Sequence, residues 1–251
     1  MKLIRKLLKG LLFLGLALLV LVGAIFIFLH EGRPEGVAGP EAEAMADKML
    51  EAVHVDGWER LGVIEWDFPR GHHFVWDKKN HHVEVKWGDN RVLIAPTTGK
   101  GIAYEDGKRV EGEDAEELKE KAKHLFYNDS FWLAAFTKVK DPGTTRQVVD
   151  MGEEGKGLLV THGSGGITPG DAYLWKLDEN GMPKSYQMWV KIIPVGGLEF
   201  TWENWQELPN GALVAQNHKN FLFDVELKGI KGGNSLKDIG YPNDMFSELD
   251  Q

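Results

Sequence analysis

Hydrophobic and polar positions divide the chain into segments of three different kinds. Residues 11–29, LLFLGLALLVLVGAIFIFL, carry no charge and no strongly polar group. At ~1.5 Å of rise per residue such a run just crosses a ~30 Å hydrocarbon layer, so it predicts a transmembrane helix. From Pro40, a residue suited to a first helical turn, the apolar positions Ala42, Met45, Ala46, Met49, Leu50 and Val53 recur at helical spacing. Beyond Leu61 the period falls to two. Alternation predicts strands over residues 61–67, 72–76, 81–87, 91–95, 101–105, 147–150, 157–161, 172–177, 185–192, 198–205, 212–216 and 221–228. Asp106-Gly107, Asn180-Gly181 and Asn210-Gly211 between them are strong hairpin signals, and strands joined by such tight turns are antiparallel.

One helical insertion interrupts the strands. Asp114-Ala115-Glu116-Glu117 has the character of a capping box, and Ala115, Leu118, Ala122, Leu125 and Phe126 form an apolar stripe behind it. Asn128-Asp129-Ser130 can cap a second short helix bearing Phe131, Trp132 and Phe136, after which Asp141-Pro142-Gly143 turns back to strands. The fold class expected is mainly β (α+β), with a large antiparallel curved sheet behind an N-terminal transmembrane helix. Its divisions are a basic cytoplasmic N-terminus over 1–10, a signal-anchor helix over 11–29, a linker over 30–39, the folded domain over 40–230 and a loose polar tail over 231–251.

Charge sets the orientation. Lys2, Arg5, Lys6 and Lys9 precede the apolar run, while Glu31, Arg33, Glu35 and Glu41 mix both signs beyond it. The positive-inside rule leaves the N-terminus in the cytoplasm and exports the rest, which in a bacterium means a single-pass inner-membrane protein whose C-terminal domain is periplasmic or extracellular. A cleaved signal peptide is the alternative, with Val22-Gly23-Ala24 as the cleavage site, but residues 25–29 carry the apolar run past it. The absence of cysteine excludes disulfides, thiolate metal sites, a cysteine nucleophile and a lipidated cysteine. Net charge is −9, and setting aside the four basic residues ahead of the span leaves −13 for the exported part. Such a surface repels phosphate backbones, so nucleic acid is not an expected partner.

The stretch GHHFVWDKKNHHVEV, residues 71–85, has the composition of a metal site. Read as a hairpin in which Trp76 faces His81, Phe74 faces Val83 and His72 faces Val85, it divides its histidines between two faces. One face is an aromatic and aliphatic wall of Phe74, Trp76, Val83 and Val85. The other, with His73, Val75, His82, Glu84 and Lys86, reads as ordinary solvated strand surface. His73, His82 and Glu84 could converge on zinc, but adjacent histidines on a strand point opposite ways, so no metal is expected. Other strands supply similar walls: Tyr173 and Trp175 opposite Met188 and Tyr186, then Leu198, Phe200 and Trp202, then Phe221, Phe223, Val225 and Leu227. With nine tryptophans in the chain, this bulk suits the inside of a large curved sheet.

A helix, a long antiparallel meander, a helical insertion and more meander behind an export signal resemble the LolA/LolB-like half-barrel proteins, in particular an uncharacterised bacterial branch. The likeness rests on YNDSFWL, residues 127–133, and GGITPGDAYLWKLDENGMPKSY, residues 165–186, and covers about residues 40–230. The resemblance implies a half-barrel with a helical plug whose concave face takes acyl chains or another apolar ligand. On it the expected ligand-binding residues are Phe74, Trp76, Val83, Val85, Phe131, Trp132, Tyr173, Trp175, Phe200, Trp202 and Phe221, with Phe131 and Trp132 as the movable plug. The known carriers are soluble or lipid-anchored, so a transmembrane anchor here favours an acceptor, sensor or chaperone over a free shuttle.

Catalysis is not expected. In THGSGGITPGD, residues 161–171, His162 stands where a nucleophile elbow around Ser164 needs glycine. Glu199 and Glu203 on one strand face could do acid–base work, but alternating charge on an exposed sheet explains them. No catalytic residue, metal or cofactor is therefore assigned. The competing expectation is an anchored envelope module that binds a protein partner and needs no internal cavity.

Overall fold

The computed structural model describes residues 2–164 and 168–249, without the side chains of residues 2–4, 8, 22 and 24–26. In chain order the helices are α1 (Lys2–Leu29), α2 (Pro40–Ala52), α3 (Val55–Arg60) and α4 (Gly112–Ala134). The strands before α4 are β1 (Val63–Phe68), β2 (His72–Asp77), β3 (His82–Trp87), β4 (Asn90–Ile94), β5 (Gly101–Glu105) and β6 (Lys108–Val110). After it come β7 (Thr144–Asp150), β8 (Lys156–His162), β9 (Ala172–Leu177), β10 (Pro183–Trp189), β11 (Leu198–Thr201), β12 (Glu203–Glu207), β13 (Leu213–Lys219), β14 (Asp224–Glu226) and β15 (Lys228–Gly233).

α1 is one continuous helix of 28 residues. Among the described residues no helix is long and apolar enough to cross a membrane. The span expected at 11–29 includes positions 22 and 24–26, and so falls partly outside the described side chains.

The strands form three open antiparallel sheets rather than one. The first has the order β15-β1-β2-β3-β4-β5-β6, the second β11-β10-β9-β8-β7 and the third β12-β13-β14. The expected strand over 198–205 is broken at Trp202, whose N–H donates to the Lys184 carbonyl (2.7 Å), and Asn204 is left-handed at φ 55°. Glu199 therefore belongs to the second sheet and Glu203 to the third, where Lys176 and Lys219 respectively hold them in ion pairs.

The β2–β3 hairpin has a longer tip than the sequence suggested. Trp76 pairs with Val83 and Phe74 with Val85, while His81 sits in the turn at φ 57°. The slip of two residues leaves every side chain on its expected face. α4 also differs: it starts at Gly112 and runs through Asn128-Asp129-Ser130 without a break. Asp129 is buried inside it and takes a hydrogen bond from His72 (2.7 Å) instead of capping a second helix.

α4 lies over the inner faces of β3, β4 and β5 and reaches β13, while α2 packs on β7 and β8. Between these layers the main core joins Ile64, Trp66, Phe74, Val83, Val85 and Ile94 of the first sheet to Val160, Trp175, Tyr186 and Phe200 of the second.

The tail is not loose. β15 pairs with β1, and Leu236, Ile239, Phe246 and Leu249 close over Val63, Val75 and Leu93 on the outer face of the first sheet. That face, expected to be solvated, is a second core in which Glu84 is 1% exposed and paired with Arg91 (2.5 Å) and Lys86 (2.7 Å). A Ser235/Asp238 capping box fixes the turn that starts the covering segment. The linker is tied down as well: Val37 forms an antiparallel bridge with Val148, and the Glu31 carbonyl accepts from the Trp189 indole at 2.8 Å.

Candidate functional site

A cavity of about 360 Å³ opens between the C-terminal half of α4 and the second sheet. Its length along α4 is set by Tyr127, Phe131 and Ala134, which recur at helical spacing. Tyr173 on β9 and Tyr186 and Met188 on β10 form the opposite wall because β9 and β10 pair Tyr173 with Met188 and Trp175 with Tyr186, as their hairpin signal predicted. Phe131 packs on Tyr173 with ring centroids 4.6 Å apart, and Trp132 meets Phe200 edge to face at 4.8 Å.

Of the eleven residues expected to bind ligand, four line this cavity: Trp76, Phe131, Trp132 and Tyr173. Phe74, Val83, Val85, Trp175, Phe200 and Trp202 are instead packed in the main core, each at most 2% exposed. Phe74 is stacked on Trp66 at 4.7 Å, and Trp202 contacts Trp175 at 5.1 Å. Phe221 lies elsewhere, 67% exposed at the turn between β13 and β14, where the Leu222 N–H donates to the Asn220 side chain (2.9 Å). The short strand there begins only at Asp224, so the expected alternation from Phe221 fails.

Sequence reasoning missed Tyr186, Met188, Val190 and Ile193 as lining residues. The signal for the first two was present in their pairing with the aromatic residues of β9. It also missed the polar rim, including Asp171, Thr168, His162 and Lys138. Asp171 accepts from the Lys191 N–H (3.0 Å) and from the Thr168 hydroxyl, so its carboxylate secures the loop at the cavity edge. Burial drives His162 below the usual imidazole range and pushes the Tyr173 and Tyr186 hydroxyls well above the usual phenol range, keeping all three neutral at pH 7.

His218, fully buried on β13, touches Trp132 at 5.4 Å and Trp202 at 4.5 Å between ring centroids. Its Nδ1 donates to the Thr201 carbonyl (3.1 Å), and Nε2 is buried without a hydrogen bond. Burial pushes its pKa down to about 4 against the weaker pull of the Thr201 carbonyl and the Trp132 backbone.

Among the described residues no group of three or more His, Cys, Asp or Glu is placed to hold a metal. His73 is engaged by Asp67 (2.7 Å) and the Tyr241 hydroxyl (3.2 Å), and the His82 ring packs near Phe246 at 5.6 Å. The Ser164 hydroxyl donates to the Pro142 carbonyl (3.4 Å), and the glycines that follow it, 165 and 166, lie outside the described residues.

No family model and no curated protein matches the sequence. Among solved structures, the chain is similar to a DUF1329 family protein from Desulfovibrio piger, at 10% identity and a TM-score of 0.40, over 83% of this chain and 98% of that one. It is also similar to an outer membrane lipoprotein-sorting protein domain from Vibrio parahaemolyticus, at 10% identity and a TM-score of 0.33, over 82% of this chain and 100% of that one. The overlap with both is loose.

Proposed function

We propose that this chain is a membrane-anchored envelope protein that holds a lipid or another apolar ligand in the cavity beside α4, as carrier, acceptor or sensor, with no covalent chemistry. The observation that carries the reading is the cavity itself, walled by Tyr127, Phe131 and Trp132 on one side and Tyr173, Tyr186 and Met188 on the other. Its volume of about 360 Å³ falls in the ~300–1,000 Å³ range of small-molecule sites. Each ~100 Å² of apolar ligand surface buried there contributes roughly 2.5 kcal/mol.

The anchor is α1. Its 28 residues reach about 42 Å at the usual helical rise, and the uncharged run 11–29 follows four basic residues. In this reading the N-terminus is cytoplasmic and the domain lies in the periplasm, beside the inner membrane. One edge of the cavity supports delivery from that membrane. Ile192, 64% exposed, lines the cavity, and the same connection between β10 and β11 holds the chain just past α1 through Gly196, which bonds to His30 (3.1 Å) and Glu31 (2.9 Å).

Native mass spectrometry of the full chain released from mild detergent tests the reading. A lipid mass that co-purifies with the wild type and is lost in Trp76→Glu/Trp132→Glu is expected. A clean apo mass that ignores added fatty acid would favour the second reading, an envelope protein-interaction module. That reading is supported by the exposed tip Phe221-Leu222-Phe223, whose side chains are 67%, 57% and 50% exposed.

A further inference from the structure

The cavity has a chemically different neighbour. A second recess, of about 620 Å³, is bounded by α3, the tip of the β2–β3 hairpin and the turn after α4. Trp76, Thr137 and Lys138 line both spaces, so they meet at one shared wall. Where the cavity is apolar, the recess is cationic: Arg60, Lys78, Lys79 and Lys138 line it with His81, against the single carboxylate of Glu59.

This concentration of positive charge stands out in a chain of net charge −9. Arg60 is paired with Asp56 (2.7 Å) and Lys138 with Asp141 (3.4 Å), and all four of these side chains are at least 44% exposed, so screening by water leaves both pairs weak. Lys78 is different. Its ammonium donates to the Trp58 carbonyl and lies 4.3 Å over the Trp58 ring, a neutral acceptor and a π face in place of a carboxylate. Burial, with Lys138 nearby, pushes it down to about 8, with Glu59 opposing, so an incoming anion relieves a cost the fold already carries.

We propose that the recess receives the anionic headgroup of an amphiphile whose hydrocarbon chain lies in the adjoining cavity, the two portions meeting at Trp76 and Thr137. The proposal rests on the apolar-ligand reading above and adds the ligand's class: a chain bearing a phosphate or carboxylate at one end. Lys78 and Lys79 on the hairpin tip, with Arg60 from α3, supply the charge. Trp76 divides the apolar portion from the polar one.

The test uses the full chain in non-ionic detergent and follows quenching of intrinsic tryptophan fluorescence by 9,10-dibromostearic acid and by the corresponding dibromostearyl alcohol. The acid is expected to bind about tenfold more tightly, the factor that ~1.4 kcal/mol of charge-assisted contact confers. Arg60→Gln/Lys79→Gln, both at exposed positions that line the recess and not the cavity, is expected to reduce that preference to threefold or less while leaving the alcohol unchanged. Equal binding of acid and alcohol would overturn the headgroup site and leave the apolar cavity standing. Failure of both probes would overturn the cavity reading and the headgroup site with it. Inorganic phosphate is the third arm: saturable binding that survives in Trp132→Glu, with no preference for the acid over the alcohol, would assign the recess to free anions and overturn the amphiphile.

Discussion

His218 makes the packing around the cavity sensitive to acid, and the size of the effect follows from its surroundings. The ring is enclosed by Trp132 and Trp202, gives one hydrogen bond to Thr201 and has a buried Nε2 with none to give. Burial lowers its pKa from the ordinary 6.5 to about 4. Above pH 6.5 the ring is neutral in both the folded and the unfolded chain and contributes no pH dependence. Below it the unfolded chain takes up a proton that the folded chain refuses, so stability falls with pH until about 4. At about 1.4 kcal/mol per pH unit, roughly 2 kcal/mol is lost at pH 5 relative to pH 7, which for a domain of this size corresponds to about 4–8 °C in Tm. Thermal unfolding of the full chain in detergent at both pH values, followed by circular dichroism, compares wild type with His218→Gln. The variant is expected to be less stable at pH 7 but to lose about 2 kcal/mol less on acidification. Parallel losses in the two proteins would refute the assignment of acid sensitivity to this ring.

Further expectations concern packing and chemistry. Trp132→Ala removes the ring that touches Phe200, Tyr186 and His218, and is expected to cost about 2–3 kcal/mol in chemical unfolding, below the ~3–5 of a fully buried tryptophan because Trp132 is only half-buried. Leu236→Ala, on the segment that covers Val63, Val75 and Leu93, is expected to cost about 2–3 kcal/mol, whereas a loose tail would show no change. Chelator treatment is expected to leave Tm unmoved, while His73→Ala costs about 1 kcal/mol through its lost partners Asp67 and Tyr241. A zinc-dependent rise in Tm that His73→Ala removes would restore the metal site.

The strand pattern was legible where alternation met a sound turn signal. β9 and β10 pair as Asn180-Gly181 predicted, and Trp175 faces Tyr186. In the histidine hairpin the register slipped by two, because residues 78–81 all enter the turn, yet a period of two preserves the faces under that slip. The division of the strands into three sheets was not legible. It turns on a break at Trp202, a residue that alternation alone places inside a strand. The tail was missed because Leu236, Ile239, Phe246 and Leu249 are dispersed among polar residues with neither helical nor strand period. Their burial comes from a face of the first sheet that no local pattern marks as covered.

For the site, sequence reasoning identified the aromatic residues and could not separate those that fill the core from those that border space. Phe74 and Phe131 look alike in the sequence; one is stacked on Trp66 and the other faces the cavity. That distinction depends on how far α4 stands from the second sheet, a tertiary quantity. The cationic recess was equally hidden, since Arg60, Lys78, Lys79 and Lys138 come from three separated segments. Only the fold brings them to the wall behind Trp76.

The central claim is that the cavity beside α4 holds a hydrocarbon chain, and photocrosslinking in cells tests it most directly. A benzophenone amino acid placed at position 131 inside the cavity, or at position 221 on the exposed tip, is irradiated in the full-length protein and its adducts are identified by mass. The account predicts lipid adducts from position 131 and none from position 221. Protein adducts from position 221, with no lipid recovered from position 131, would contradict it.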